Sequence, residues 1–343
     1  MVGSAVKPRP AARWRWLVLA AVTGAQTLTA QPFGLPTANR ALFERGGEDR
    51  FFVGTVGKPW TSGCYGCVRS EGWQMHEGLD IRCLQRDRSG EAADLVMATA
   101  SGIVAYANTH PSLSNYGNYL ILRHAIDGLE VYSLYAHLSA VQVKAGQTVQ
   151  AGEVIGTMGR TANTHEAISK DRAHLHFELN LLANPRFAAW FQKTSPGQRN
   201  DHGAYNGQNL FGFDPRTVLL GQQQLGTNFH LVQFLRAQTE LCRVGVRTPN
   251  LPWVQRYPAL ARRNPVAEKE GVAGYELALT CTGFPYEIIP RAASELKSSV
   301  KRRLLSVNAA EQEKHPCGRL VTRKSGGWQL TAKGERLLDL VCY

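Results

Sequence analysis

Residues 174–182 read HLHFELNLL, and whether they form a strand decides how the chain is organised. In a strand, side chains two apart project from one face, with Cα atoms about 6.6 Å apart. His174 and His176 then share a face, while Leu175 begins an opposite, apolar face that Phe177 continues. That geometry lets one imidazole bind an ion while its neighbour stands beside an open coordination position.

Upstream runs carry the same stamp. LVMATASGIVAYA (95–107), NYLILRHA (118–125), LEVYSLYAHL (129–138) and VIGTMG (154–159) are short apolar segments broken by glycine. Their β-branched and aromatic residues and their spacing suit an antiparallel sheet. VKAGQTVQAGEVIG (143–156) repeats an apolar–glycine punctuation that predicts tight hairpins in a compact β-sandwich. FFVGTV (51–56) reads as one further short strand. Residues 192–227, rich in Gln, Gly and Asn, read as a loop and linker. SELKSSVKRRLLSV (294–307) and TAKGERLLDLV (331–341) look helical. The expected fold is therefore mainly β, an antiparallel β-sandwich core with a smaller, α-containing C-terminal domain at 228–343, after a lead-in over 31–69.

The 343 residues suffice for two domains, and 43% hydrophobic with 19% charged residues excludes a disordered or membrane-embedded chain. The N-terminus differs. Lys7, Arg9, Arg13 and Arg15 precede WLVLAAVTGA (16–25), too short to span a bilayer comfortably, and small residues follow. That order predicts a secretory signal over residues 1–30, hence an exported protein, periplasmic or extracellular. The net charge of +12 is unevenly spread: residues 31–227 hold 17 basic and 17 acidic residues, whereas 228–343 hold 18 and 10. A basic tail favours an anionic partner such as an envelope polymer or a membrane surface, or is simply a solvated basic face. The tail's GGWQLTAKGERLL (326–338) resembles the end of a winged-helix unit, but no recognition helix accompanies it, so no nucleic-acid partner is expected.

Seven cysteines agree with an oxidising compartment. CYGC (64–67) reads as the source of a structural disulfide, with Cys83 as the candidate partner, rather than a redox pair or half a zinc site. Cys242, Cys281, Cys317 and Cys342 have the number for two further bridges.

QMHEGLD (74–80) supplies a histidine and a carboxylate, both suitable zinc ligands. Four residues of straight strand would separate their Cα atoms by about 13 Å, so the backbone must bend, and Gly78 permits it. SLYAHLS (133–139) places His137 at the end of another apolar strand. His110, His124, His165, His202, His230 and His315 have no such setting and are read as structural.

HEGLD, YAHLS, VKAGQTVQAGEVIG and AHLHFEL resemble, in this order, the motifs of the lysostaphin/LytM-type zinc metallopeptidases. The likeness covers roughly residues 70–182, and FDPRTVL (213–219) is similar to the family's closing strand, which marks 70–220 as the peptidase domain. The resemblance implies a Zn²⁺ held by His76, Asp80 and His176, with His137 and His174 as the catalytic pair. It also implies a narrow groove over the metal and hydrolysis of peptide bonds in peptidoglycan. Asn118 resembles a groove position, with turn capping as the alternative. Tyr135, two residues before His137, is expected on the same strand face and in contact with substrate. The segments after Asp80 and before His174 depart from the family pattern and are expected to line the groove. The rival reading is a non-catalytic cell-wall module that activates other enzymes; it predicts a missing ligand, and all five positions are filled.

Overall fold

A computed structural model of the chain describes residues 1, 33–163, 168–297 and 299–343. Apart from Met1, the expected signal segment lies outside the described residues, as does His165. The strands are, in order, β1 (Gly66–Arg69), β2 (Gln74–His76), β3 (Leu79–Arg82), β4 (Leu95–Met97), β5 (Gly102–Asn108), β6 (Tyr119–Ile126), β7 (Leu129–Ala136), β8 (Ala140–Val141) and β9 (Thr148–Val149). They continue as β10 (Val154–Thr157), β11 (His174–Leu182), β12 (Leu210–Phe213), β13 (Cys242–Val246), β14 (Gly274–Leu279), β15 (Pro285–Arg291), β16 (Arg302–Val307), β17 (Val321–Lys324) and β18 (Gly327–Leu330).

HLHFELNLL is β11, and it is buried along its whole length. It sits inside a seven-stranded antiparallel sheet of order β12-β11-β7-β6-β5-β9, and β3 pairs with its first half. Leu175, Phe177, Leu179 and Leu181 enter the main apolar core, as their alternation requires. The hairpin between β6 and β7 turns at Asp127 and Gly128, both with positive φ (50° and 74°). Two consecutive left-handed residues make the turn whose twist matches paired strands, and Asp-Gly accepts it readily.

A three-stranded sheet, β4-β10-β8, forms a second layer of the same core. The glycine punctuation at 143–156 therefore works differently from the expected hairpins. Gly146 and Gly152 do sit in turns with positive φ, but β9 pairs with β5 while β10 pairs with β4 and β8. The segment carries the chain from one sheet to the other.

The C-terminal region builds a four-stranded sheet, β15-β14-β13-β16, and the hairpin β17-β18 leading into the helix Ala332–Cys342. It packs directly on the first sheet: the rings of Phe211 and Trp253 lie 5.5 Å apart, and Tyr257 Oη accepts from Leu182 N at 3.0 Å. One apolar cluster runs through both.

Several expectations are corrected. FFVGTV holds no strand; Phe51 ends the helix Glu48–Phe51 and Phe52 makes an isolated bridge to Ile81. Both phenylalanines are fully buried, so packing overrides the β-rich composition. The supposed linker contains β12, at the edge of the main sheet, and the helix Pro215–Leu225 capped by Asp214. FDPRTVL thus closes a strand at Phe213 and starts a helix at Pro215. The stretch 294–307 ends in β16 rather than a helix, because its partner β13 supplies the hydrogen bonds; 331–341 is helical as expected. The disulfide joins Cys67 to Cys317, with Cα atoms 5.5 Å apart across 250 residues. Cys64, Cys83, Cys242, Cys281 and Cys342 are free, so neither a bridge to Cys83 nor a bridge within the tail forms.

Candidate metal centre

Three strand ends converge on one point. β3 pairs with β11 in a register that sets Asp80 directly across from His176. β2 ends at His76, two residues of turn before β3. Gly78 serves this turn by close approach, not by a left-handed φ: a Cβ there would lie 2.4 Å from Phe177 O. His76, Asp80 and His176 are all buried, at 1%, 1% and 5% exposure.

Their donor atoms form a near-equilateral triangle. His76 Nε2 lies 3.0 Å from Asp80 Oδ1 and 3.1 Å from His176 Nδ1, and the third side is 3.1 Å. Bonds of about 2.1 Å to a tetrahedral zinc set donors about 3.4 Å apart, so a small outward shift of each side chain admits the ion. Each ligand is also aimed from behind. His76 Nδ1 donates to Cys64 O (2.7 Å), His176 Nε2 donates to Glu178 Oε1 (2.8 Å), and Arg69 donates to Asp80 Oδ2 (2.6 Å). Such outer partners fix ring orientation and tautomer at metal sites. The residues present fit Zn²⁺.

Charge is distributed to match. Burial raises the Asp80 carboxyl, but facing imidazoles, led by His76 and His174, outweigh it and hold the group well below its ordinary range. Burial would lower His176; its hydrogen bonds to Asp80 and Glu178 prevail and hold the ion-free ring at about 9.

His137 and His174 stand beside the triangle with ring centroids 4.9 Å apart. His174 Nε2 is 3.5 Å from Asp80 Oδ1. His137 Nδ1 bonds to Thr161 O (2.8 Å) and His174 Nδ1 to Arg172 O (2.7 Å). A carbonyl only accepts, so both Nδ1 atoms carry the proton and both Nε2 lone pairs are free. Burial, then neighbouring imidazoles, push His137 well below 6.5; burial also lowers His174.

The other site expectations divide. Asn118 donates Nδ2–H to Leu138 O at 3.1 Å, next to His137, and its buried Oδ1 finds no hydrogen-bond partner among the described residues. Tyr135 is not at the site. His137 lies beyond the end of β7 with φ 63°, so the strand alternation that would align it with Tyr135 is broken. The Tyr135 ring is fully buried against Phe177, and its hydroxyl accepts from Thr99 N at 2.8 Å.

Sequence reading missed Glu178, Tyr116 and Arg69. Glu178 was findable, since it continues the 174/176 alternation; Tyr116, which donates to Glu178 Oε1 at 2.7 Å, and Arg69 are brought in by tertiary structure alone. The groove over the site, about 660 Å³, is lined by Trp73, Met75, Tyr116, His137 and His176 among others, and by Cys317, Arg319 and Lys333 from the C-terminal region. The described residues of the two segments expected to line it are absent from that lining; they bind one another, through Arg160 and Lys170 to Glu91 (2.8 and 3.2 Å). His124 and His202 are buried and hydrogen-bonded, as structural residues should be. His315 is less isolated than its sequence setting suggests, for its donor atom gathers within 4.8 Å of those of Cys281 and Glu311.

Residues 74–186 match the family model described as Peptidase family M23. The chain is 36% identical to the lipoprotein NlpD of Yersinia enterocolitica over 93 residues, 27% of this chain and 84% of that protein. It is 38% identical to the murein hydrolase activator NlpD of Escherichia coli over 104 residues, 30% of this chain and 22% of the other. It is 33% identical to the peptidoglycan DD-endopeptidase ShyA of Vibrio cholerae over 90 residues, 26% and 18%. The chain thus spans about a fifth of the length of the latter two. Among solved structures, the catalytic domain of the antimicrobial peptidase lysostaphin from Staphylococcus simulans is 30% identical, over 34% of this chain and 74% of that one, with a TM-score of 0.25.

Proposed function

The chain belongs to peptidase family M23, and from that membership and its site we propose that it is a zinc-dependent endopeptidase that hydrolyses peptide bonds in peptidoglycan. One observation carries the reading: His76, Asp80 and His176 present three donors about 3 Å apart, each backed by its own outer partner, with two further imidazoles alongside. A retired site has no need for this buried arrangement of charge.

Zinc bound there would bring water toward neutral pKa and polarise a carbonyl. The chain's own residues do the rest. His137, which lines the groove, and His174, whose Nε2 lies 3.5 Å from Asp80 Oδ1, are each held by a carbonyl at Nδ1, which leaves Nε2 unprotonated. Both stay neutral at pH 7, so an imidazole can accept the proton of the attacking water, and the proton so gained then passes to the leaving amine, which departs neutral. Glu178 and Arg69 keep the ligands aimed, and Asn118 holds the turn that carries His137. The Cys67–Cys317 bridge and the names of the relatives support an oxidising, envelope location. The division into a peptidase unit at 70–220 and a C-terminal unit at 228–343 is part of this proposal. So is an anionic envelope partner for the basic tail.

The test is direct. The protein should hold about one zinc and release soluble peptides from peptidoglycan in a chelator-sensitive manner. His176→Ala should lose metal and activity together, whereas His137→Ala should keep metal and lose turnover. A second reading, an activator of other hydrolases, is favoured by the name of the Escherichia coli relative. It prevails if the wild type holds no zinc yet stimulates a separate murein hydrolase.

A further inference from the structure

One wall of the groove comes from the C-terminal region, and its charge is unbalanced. Arg319 and Lys333 both line the cavity that contains His76, His137 and His176. Among the described residues no carboxylate lies within ion-pair distance of either. Arg69, the third cation in the lining, is committed to Asp80. Glu77 is the single acidic residue facing them in that lining.

Each cation is held where electrostatics alone would not put it. Lys333 sits in the first turn of the helix Ala332–Cys342, whose N-cap is Thr331. That end of a helix carries partial positive charge and disfavours a cation. Partial burial and then Arg319 lower the Lys333 ammonium, so the two side chains repel each other. Arg319 adopts a left-handed backbone (φ 54°, ψ 31°), which a non-glycine residue occupies at a cost. One of its Nη atoms donates to Trp73 O at 3.1 Å, a contact that ties it to a second residue of the groove lining. The wall is also fastened covalently. Cys317, two residues before Arg319, is bonded to Cys67 in β1, and Cys67 lies opposite Met75, next to the ligand His76. Two like charges and a helix start are thereby clamped together beside the reacting centre.

We propose that Arg319 and Lys333 form a carboxylate-binding subsite, through which the C-terminal region selects peptides bearing a free carboxylate near the scissile bond. This rests on the peptidase reading and assigns that site its substrate class. A guanidinium and an ammonium converging on one carboxylate satisfy its two oxygens with charge-assisted hydrogen bonds. The anion in turn relieves their mutual repulsion and complements the helix start. The tail is then part of the substrate site as well as a basic surface.

The experiment uses the full chain loaded with zinc and a pair of synthetic peptidoglycan stem peptides, one with free carboxylates and one with those groups amidated. Dissociation constants are measured by calorimetry and KM and kcat by product analysis, for the wild type, Arg319→Gln/Lys333→Gln, Arg319→Lys and Arg319→Glu. The wild type should favour the free-acid peptide by about tenfold or more, in Kd and KM rather than in kcat. The double variant should bring the ratio near one, Arg319→Lys should restore part of it, and Arg319→Glu should turn it toward the amide. Zinc content and unfolding temperature report whether each variant is folded; if the double variant is not, Lys333→Gln alone should still lower the ratio several-fold. A wild type that treats the two peptides alike, or a folded variant that keeps the full preference, overturns the subsite. Cleavage of both peptides without preference would sink the subsite and leave the peptidase standing. A Kd preference without zinc or cleavage would do the reverse.

Discussion

On the proposed reading, zinc would compete with a proton at His176. In the ion-free protein Asp80 and Glu178 hold this ring at about 9, so at pH 7 only about one molecule in a hundred has it neutral, a penalty of about 3 kcal/mol. A metal ligand must be deprotonated, and binding therefore releases the proton. Zinc affinity should rise about tenfold per pH unit from pH 6.5 to 9 and then level off. The stability of the ion-free protein should run the other way. A folded-state value above the unfolded 6.5 contributes stability that is complete below about pH 6.5 and is lost as pH rises through 9, about 3 kcal/mol in all. The assay is competition for zinc against a chelator calibrated at each pH, paired with urea unfolding of the chelated protein. Glu178→Gln removes one carboxylate from the imidazolium and should move the break in both curves to lower pH. Affinity that is flat between pH 7 and 9, or a break that Glu178→Gln leaves in place, would refute the argument.

Three further outcomes follow from single contacts. Gly78→Ala forces a Cβ to within 2.4 Å of Phe177 O, where the backbone cannot yield; it should cost about 3 kcal/mol or more in urea unfolding and lower zinc occupancy. Cys317→Ser opens a loop of 250 residues and should cost about 2–5 kcal/mol, measured as a loss of thermal stability that reduction of the wild type reproduces. Tyr135→Phe leaves the buried Thr99 N–H without its acceptor and should cost about 1–3 kcal/mol, while zinc content stays at the wild-type level. A fall in zinc content with unchanged stability would return Tyr135 to the site.

The sequence by itself determined the parts of this protein that depend on local alternation. The period-two pattern of residues 174–182 placed two imidazoles on one face of a strand. The donor types were legible for the same reason, since His, Asp and His are what a zinc site requires. Tertiary structure decided everything that depends on register and long-range packing. Asp80 meets His176 because β3 pairs with β11 in one register, and a slip of a single residue would turn it to the opposite face. The break at His137 removed Tyr135 from the groove, which alternation alone placed there. Cys67 found Cys317 rather than Cys83, and Arg319 and Lys333 came to the groove, because the C-terminal region folds back over the β1-β2 hairpin. Contacts across some 250 residues leave no periodic trace in a sequence, so only the folded chain reveals them.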